Sequence, residues 1–265
     1  MKTSDLKNIT ENLLETFVLA GKKSLELRQL GLKTHIKTDG SPVTNGDLEV
    51  DKIIKEQIIK LTPNIKIVSE ETVNLKKKDD LKSIPNHPKN FWLIDPIDGT
   101  RDYVNNGDEF TLNASLIINN KPAIGIINVP AKKRLFYSYG YNFAFEKDAN
   151  KVKKLDSNKL KLNKKICAVT NSSTPSEEVL LVHKKYKVEK FTNMRSSYKF
   201  CVIAAGEFDL YAAKPRAFEW DIAAGHAIVE HAGGVVTTLD EKDFLYGKPE
   251  YKNLSLLVKC SKNLL

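Results

Sequence analysis

Six consecutive residues, Asp95-Pro96-Ile97-Asp98-Gly99-Thr100, place two carboxylates three positions apart and follow them with a glycine and a hydroxyl. Carboxylate oxygens suit a hard cation. Magnesium takes oxygen ligands in near-octahedral geometry and is commonly held by a few carboxylates together with substrate phosphate oxygens. Glycine lets backbone N–H groups come close to a ligand, and turn amides beside a threonine hydroxyl can bind the phosphate itself. Asp-Pro and Asp-Gly are also ordinary turn dipeptides, so the motif alone leaves a structural turn open beside a cation site.

Other acids could join it. Glu70-Glu71 follows a short apolar run and could offer a carboxylate to the same cation, or form a solvated acidic turn. Asp221 follows Trp220 at the start of a helical pattern, where aspartate is common as a cap or first-turn residue. Thr44-Asn45-Gly46-Asp47 has the form of a capping box, which is a sufficient structural reason for Asp47. Nucleophilic chemistry finds little support: Cys167 and Cys201 lie in apolar segments, and there is no Gly-x-Ser-x-Gly elbow. His226 and His231 are five residues apart on one helix, off the shared face of a zinc pair, and read as structural or solvent-facing.

The elements that must position these groups follow from periodicity. Leu6, Ile9, Leu13, Phe17 and Ala20 mark one face of an opening helix. After a loop at 37–42, Leu48, Ile54, Ile58 and Leu61 mark a second helix, stopped at Thr62-Pro63. Ile65 to Val68 reads as a strand running into Glu70, and Phe91 to Ile94 as a buried strand ending on Asp95, with a lysine-rich loop between them. Phe110, Leu112, Ala114, Leu116 and Ile118 alternate with Thr111, Asn113 and Ser115, and Asn119-Asn120 turns this strand into a partner at 123–129. Beyond a lysine-rich stretch at 151–165, read as a solvated loop, strands at 166–170, 188–192, 208–212 and 235–239 alternate with helices at 176–186, 197–205 and 221–232. The reading divides the chain into an N-terminal α+β half, 1–150, carrying most of the acidic site, and an α/β half, 151–265, that closes it.

The bulk properties set limits. A chain of 265 residues with 41% hydrophobic content can bury a sizeable core. It has no apolar run of membrane-spanning length and no secretory leader, so the expectation is a soluble cytoplasmic protein, with peripheral attachment to the inner membrane left open. Three scattered cysteines suggest neither a disulfide framework nor zinc. The net charge of +9 favours anionic partners. Those could be nucleic acid, membrane headgroups or a phosphorylated small molecule, but the lysine-rich segment lacks the interleaved aromatic residues of a nucleic-acid platform, so a nucleic acid is not expected.

These fragments also line up, in order, with one group of enzymes. Trp92 to Thr100 resembles the first signature of the lithium-sensitive, magnesium-dependent phosphatase superfamily that includes inositol monophosphatase and 3'(2'),5'-bisphosphate nucleotidase, and Glu219 to Gly225 resembles the second. Lys37 to Thr44, Val68 to Glu71, Asp108 to Asn113, Ser196 to Cys201 and Tyr246 to Pro249 look most like the bacterial bisphosphate nucleotidase branch, CysQ. The resemblance implies an α/β fold of mixed α+β character, a layered αβαβα sandwich with the site between its halves. It implies two or three magnesium ions held by Glu70, Asp95, Asp98, Asp221 and the backbone carbonyl of Ile97, with Asp47 and Thr100 activating a water. Glu70, Ile97, Asp98, Gly99, Thr100, Ser196, Lys199 and Asp221 would contact substrate. The implied reaction removes the 3'-phosphate of adenosine 3',5'-bisphosphate to give AMP and phosphate. Inositol monophosphatase activity and a non-catalytic nucleotide sensor are the alternatives. One departure stands out: Arg195 occupies the position before Ser196 where the branch usually has glycine. Oligomeric state is left open.

Overall fold

A computed structural model describes residues 1–37, 40–74, 88–148, 151–157 and 165–264. Thr38 and Asp39, much of the lysine-rich loop after Glu71, and residues 158–164 of the second lysine-rich stretch lie outside the described residues.

Helix α1 (Thr3–Leu30) buries the expected face, with Leu13, Phe17 and Ala20 fully enclosed. A short hairpin of β1 (Thr34–Ile36) and β2 (Pro42–Thr44) surrounds the expected loop, and α2 (Asn45–Leu61) follows. In α2 the expected core residue Leu48 is instead 53% exposed, and Val50 is buried in its place. The reason is angular. Val50, Ile54 and Ile58 are four residues apart and stack on one face, whereas Leu48 is six residues before Ile54 and points well away from it.

The larger sheet has the order β3-β4-β5-β6-β7-β8-β9. Strands β3 (Lys66–Ser69) and β4 (Phe91–Asp98) are parallel, and α3 (Glu70–Asn74) begins directly after β3. Strand β4 does not stop at Asp95 as expected but continues through Asp98, after which comes the short helix α4 (Thr100–Val104). Strands β5 (Thr111–Ile118) and β6 (Lys121–Val129) form the expected hairpin. Its two turn residues, Asn119 and Asn120, have φ of 51° and 62°, which matches the twist of a tight hairpin. The sheet ends with β7 (Arg134–Ser138), β8 (Ala144–Asp148) and β9 (Lys151–Lys154). Lys151 to Lys154 is thus an edge strand paired with β8, not a loop, and it carries this sheet past the expected boundary at 150. Lysines on an exposed edge discourage pairing with another chain.

The smaller sheet has the order β11-β10-β12-β14-β13. It comprises β10 (Cys167–Thr170), β11 (Lys190–Asn193), β12 (Leu210–Ala213), β13 (Val235–Thr237) and β14 (Leu256–Lys259), the last lacking any counterpart in the sequence reading. Helices α5 (Glu177–Lys185), α6 (Tyr198–Ala204) and α7 (Glu219–His231) complete the chain. Helices α1 and α2 cover one face of the larger sheet, α6 and α7 lie between the two sheets, and α5 packs on the outside of the smaller one. This is the αβαβα sandwich.

Two cores result. One joins α1 and α2 to Trp92, Ile94, Leu112, Leu116 and Ile124; the other fills the space between the sheets with Phe91, Leu93, Phe200, Trp220 and Val258. The polar residues Thr111, Asn113 and Ser115 of β5 are fully buried with the second core, not solvated. Helix α7 comes so close here that a Cβ on Gly125 would lie 2.3 Å from the Ala224 carbonyl oxygen. No helix among the described residues is long and apolar enough to cross a membrane.

Candidate active site

The end of β4 and the starts of α3, α4 and α7 line one cleft of about 670 Å³, with the start of α2 behind Thr100. Its walls include Glu70, Asp98, Gly99, Thr100, Ser196, Lys199 and Asp221. All the site residues expected from the sequence lie in this cleft or directly behind it.

Asp95 and Asp98 reach the cleft through an irregularity in β4. Asp95 pairs with Asn113 and Asp98 with Thr111, so three steps along β4 match two along β5. This is a β-bulge, a feature that re-aims side chains at a strand end. Asp95 is buried, and its Oδ1 has no hydrogen-bond partner among the described residues. Burial first, then the charges of Glu70, Asp98 and Asp221, hold Asp95 well above the usual carboxylate range. Asp221 is raised in the same way, by burial and by Asp98 and Glu70, although Phe218 N donates to its Oδ2 at 2.8 Å. That last bond is the helix-capping role expected of Asp221, and it leaves the other oxygen for the cleft.

Asp47 has two roles as well. Its Oδ2 accepts from Thr44 N at 2.7 Å and from Thr44 Oγ1 at 2.6 Å, and Thr44 Oγ1 accepts from Gly46 N at 3.0 Å, so the capping box is real. Its Oδ1 faces Thr100 Oγ1 at 3.2 Å. Thr100 Oγ1 is also 3.1 Å from the Ile97 carbonyl, and its single proton serves one of these acceptors at a time. Asp47 is 1% exposed, and burial pushes it up to about 6 against the opposing bonds from Thr44. Gly99, at φ 87°, turns the chain from Asp98 into α4, a left-handed conformation that favours glycine.

The sequence reading missed Lys37 and underused Glu71. Lys37 Nζ lies 2.8 Å from Glu70 Oε1 and 2.9 Å from Glu71 Oε1. Burial lowers the lysine, but the Glu70 charge and the bonds to both glutamates outweigh it and hold Lys37 above its ordinary value. Burial pushes Glu71 up to about 7 despite the lysine. Among the described residues no three acidic side chains are drawn together as a ready-made cation cage. The donor set nevertheless fits magnesium: it is all oxygen, it opens on the cleft through half-buried Glu70, Asp98 and Asp221, and it contains the buried, unpartnered Asp95 Oδ1.

The facing wall comes from residues 194–199. Ser196 has φ of 48° and its hydroxyl donates to the Glu109 carbonyl, while Arg195 N donates to Glu109 Oε2 at 2.7 Å. The Arg195 side chain is exposed and lines the cleft. Lys199 is buried, with Nζ donating to the Ser196 carbonyl and lying 5.4 Å from the Tyr211 ring centre. Burial pushes Lys199 down to about 8; Asp98 opposes this and Arg216 adds to it. Ser197, also missed, is fully buried between the walls. Its Oγ accepts from Asn113 Nδ2 at 3.0 Å and lies 2.7 Å from Asp98 Oδ2 and 2.6 Å from the Asp221 carbonyl.

Other motif residues are structural. Glu219 is fully buried and accepts from Gly247 N and Lys248 N, each at 2.9 Å, which pins the Tyr246–Pro249 segment. His226 bonds Tyr246 Oη at 2.9 Å, and His231 Nδ1 accepts from Gly140 N at 3.2 Å, so both histidines hold structure, as expected.

The model of the inositol monophosphatase family matches residues 5–259. The 3'(2'),5'-bisphosphate nucleotidase CysQ of Haemophilus influenzae is 27% identical over 247 residues, covering 91% of this chain and 90% of the relative. The CysQ of Buchnera aphidicola is 37% identical over 207 residues, covering 76% and 73%. The crystal structure of CysQ from Bacteroides thetaiotaomicron, a bacterial member of the inositol monophosphatase family, superposes with a TM-score of 0.75 at 26% identity, covering 96% of this chain and 97% of that one. A family model spanning nearly the whole chain and relatives covered over most of their length agree: the chain belongs to the inositol monophosphatase family.

Proposed function

We propose that the protein is a magnesium-dependent 3'(2'),5'-bisphosphate nucleotidase that hydrolyses adenosine 3',5'-bisphosphate to AMP and phosphate. The observation that carries the phosphatase chemistry is the buried Asp95, whose Oδ1 has no partner among the described residues and which sits beside the charges of Glu70, Asp98 and Asp221 at an open cleft. The choice of substrate rests on the relatives named CysQ.

Glu70, Asp95, Asp98, Asp221 and the Ile97 carbonyl would hold two or three magnesium ions. Magnesium bound there supplies Lewis-acid stabilisation of charge on phosphoryl oxygens. The chain's own groups do the rest. Asp47 Oδ1 draws the Thr100 proton, so the Thr100 oxygen can accept a proton from the attacking water as it approaches phosphorus. The Gly99 and Thr100 amides donate to phosphate oxygens, which gain charge as the bond to the ribose oxygen breaks. Across the cleft, Ser196 and Lys199 contact the rest of the substrate, and Arg195 and Arg216 add positive charge to the same wall. The same reading places the protein in the cytoplasm, with Cys167, Cys201 and Cys260 as free thiols.

Phosphate release with magnesium from adenosine 3',5'-bisphosphate, inositol 1-phosphate and fructose 1,6-bisphosphate tests the proposal. The first is expected to be turned over with the highest kcat/KM. A clear preference for inositol 1-phosphate would make the protein an inositol monophosphatase, and binding of the nucleotide without turnover would make it a sensor.

A further inference from the structure

Ser197 occupies the N-cap position of α6 yet makes no side-chain capping bond. A serine at that position ordinarily turns its oxygen back onto the second or third amide of its helix. Here the hydroxyl points the other way, into the junction of four elements. It meets Asn113 on β5, Asp98 at the end of β4 and the backbone of Asp221 in the first turn of α7.

The proton count constrains this junction. Asn113 Nδ2 can only donate, so it occupies a lone pair of Ser197 Oγ. The hydroxyl then has one proton for two acceptors, Asp98 Oδ2 at 2.7 Å and the Asp221 carbonyl at 2.6 Å. A charged acceptor makes the stronger bond, so an ionised Asp98 takes the proton. That fixes one oxygen of Asp98 and presents the other to the cleft. Asn113 Oδ1 is buried without a partner among the described residues, so the amide is retained here at a cost in satisfied hydrogen bonds.

We propose that Ser197, held by Asn113, is a positioning residue for the magnesium ligands: its hydroxyl sets the orientation of Asp98 and its distance from the first turn of the helix that carries Asp221. This rests on the reading of the carboxylate cluster as a magnesium centre. Partners of this kind, one bond away from a metal, commonly matter nearly as much as the ligands they orient.

Titration calorimetry with magnesium alone, on the full chain, separates this role from a packing role. Ser197→Ala is expected to weaken magnesium binding by about 10- to 100-fold, the usual loss when a ligand's orienting partner is removed. The magnesium concentration for half-maximal phosphate release should rise in parallel, while KM for the nucleotide at saturating magnesium stays near the wild-type value. Ser197→Thr keeps the hydroxyl and should restore most of the affinity. Asn113→Ala removes the donor that orients Ser197, and a smaller loss in the same direction is expected; it serves as the test if Ser197→Ala does not fold. Wild-type magnesium affinity in a folded Ser197→Ala or Asn113→Ala protein would overturn the proposal. So would a Thr variant as weak as the Ala variant, since the loss would then belong to packing. If the wild-type protein itself takes up no magnesium, the reading of the centre fails first, and the role of Ser197 with it.

Discussion

The two walls of the cleft are built by different means. On one side, Asp47, Asp95 and Asp98 are placed by backbone structure: a capped helix start and a bulge in β4 that is paired with β5. On the other, residues 194–199 form a turn with a left-handed Ser196, held from outside by Glu109, by Asn113 and by the Arg134 cluster. Arg134 donates to Glu146 at 2.6 Å and to Tyr198 Oη at 2.8 Å, and also pairs with Glu207, which ties α6 to the larger sheet. The first wall is fixed by its own hydrogen-bond ladder. The second is fixed by borrowed side chains, and apart from Ser197, which reaches across to Asp98, its outer residues can change without touching the acids opposite. The departure at Arg195 falls on that second wall.

Three experiments bear on this contrast. The largest effect belongs to the first wall: Asp95→Asn should cut magnesium-dependent phosphate release by at least ~100-fold, since a ligand matters no less than the groups behind it. Activity surviving that change would remove the first wall from the chemistry.

Intermediate in size is a dependence of stability on pH without magnesium. Burial raises Asp47 to about 6 and Glu71 to about 7, from ordinary values of 3.8 and 4.5. Between the ordinary and raised values the folded chain holds more protons than the unfolded one, so stability falls as pH rises through that window and levels off above about 7. In EDTA the denaturant midpoint should therefore drop from pH 5 to pH 8, and saturating magnesium should restore most at the alkaline end. A midpoint insensitive to pH would mean that the first wall carries no buried charge burden.

The smallest effect belongs to the second wall. Arg195 is exposed, so Arg195→Gly should raise KM for the bisphosphate by about fivefold or less, as for a solvated ion pair, with kcat unchanged. A fall in kcat instead would show that the two walls are coupled through Ser196 and Ser197.

What the sequence made legible follows the same division. The acids stand beside local turn and cap signals, so Asp47, Glu70, Asp95, Asp98 and Asp221 could be noticed from neighbouring residues, but those same signals give each a structural reading, and the site roles come from the family resemblance. Lys37 and Ser197 could not, because their significance lies in partners 24 to 99 positions away. Glu219 sits in the same signature as Asp221 and looks equally chemical, but only the fold shows that it holds the backbone of Gly247 and Lys248. The helices were legible from apolar spacing, with Leu48 misplaced because a single apolar residue carries no phase. Lys151 to Lys154 was missed as a strand because an edge strand exposed along its length shows no apolar alternation.

The bulge between Asp95 and Asp98 has a consequence best put as parity. In an even ladder, residues three apart face opposite sides of a sheet. The extra residue in β4 cancels the odd spacing, so both carboxylates fall on the side that faces the smaller sheet, and the backbone around Ile97 is freed from regular pairing. The strand therefore counts differently on either side of Pro96. One residue inserted between Ile94 and Asp95 would reverse the sign upstream of the bulge and present Trp92 and Ile94 to the wrong core. Within the bulge the count is already broken, and it is there that the chain can offer a main-chain oxygen between two acids.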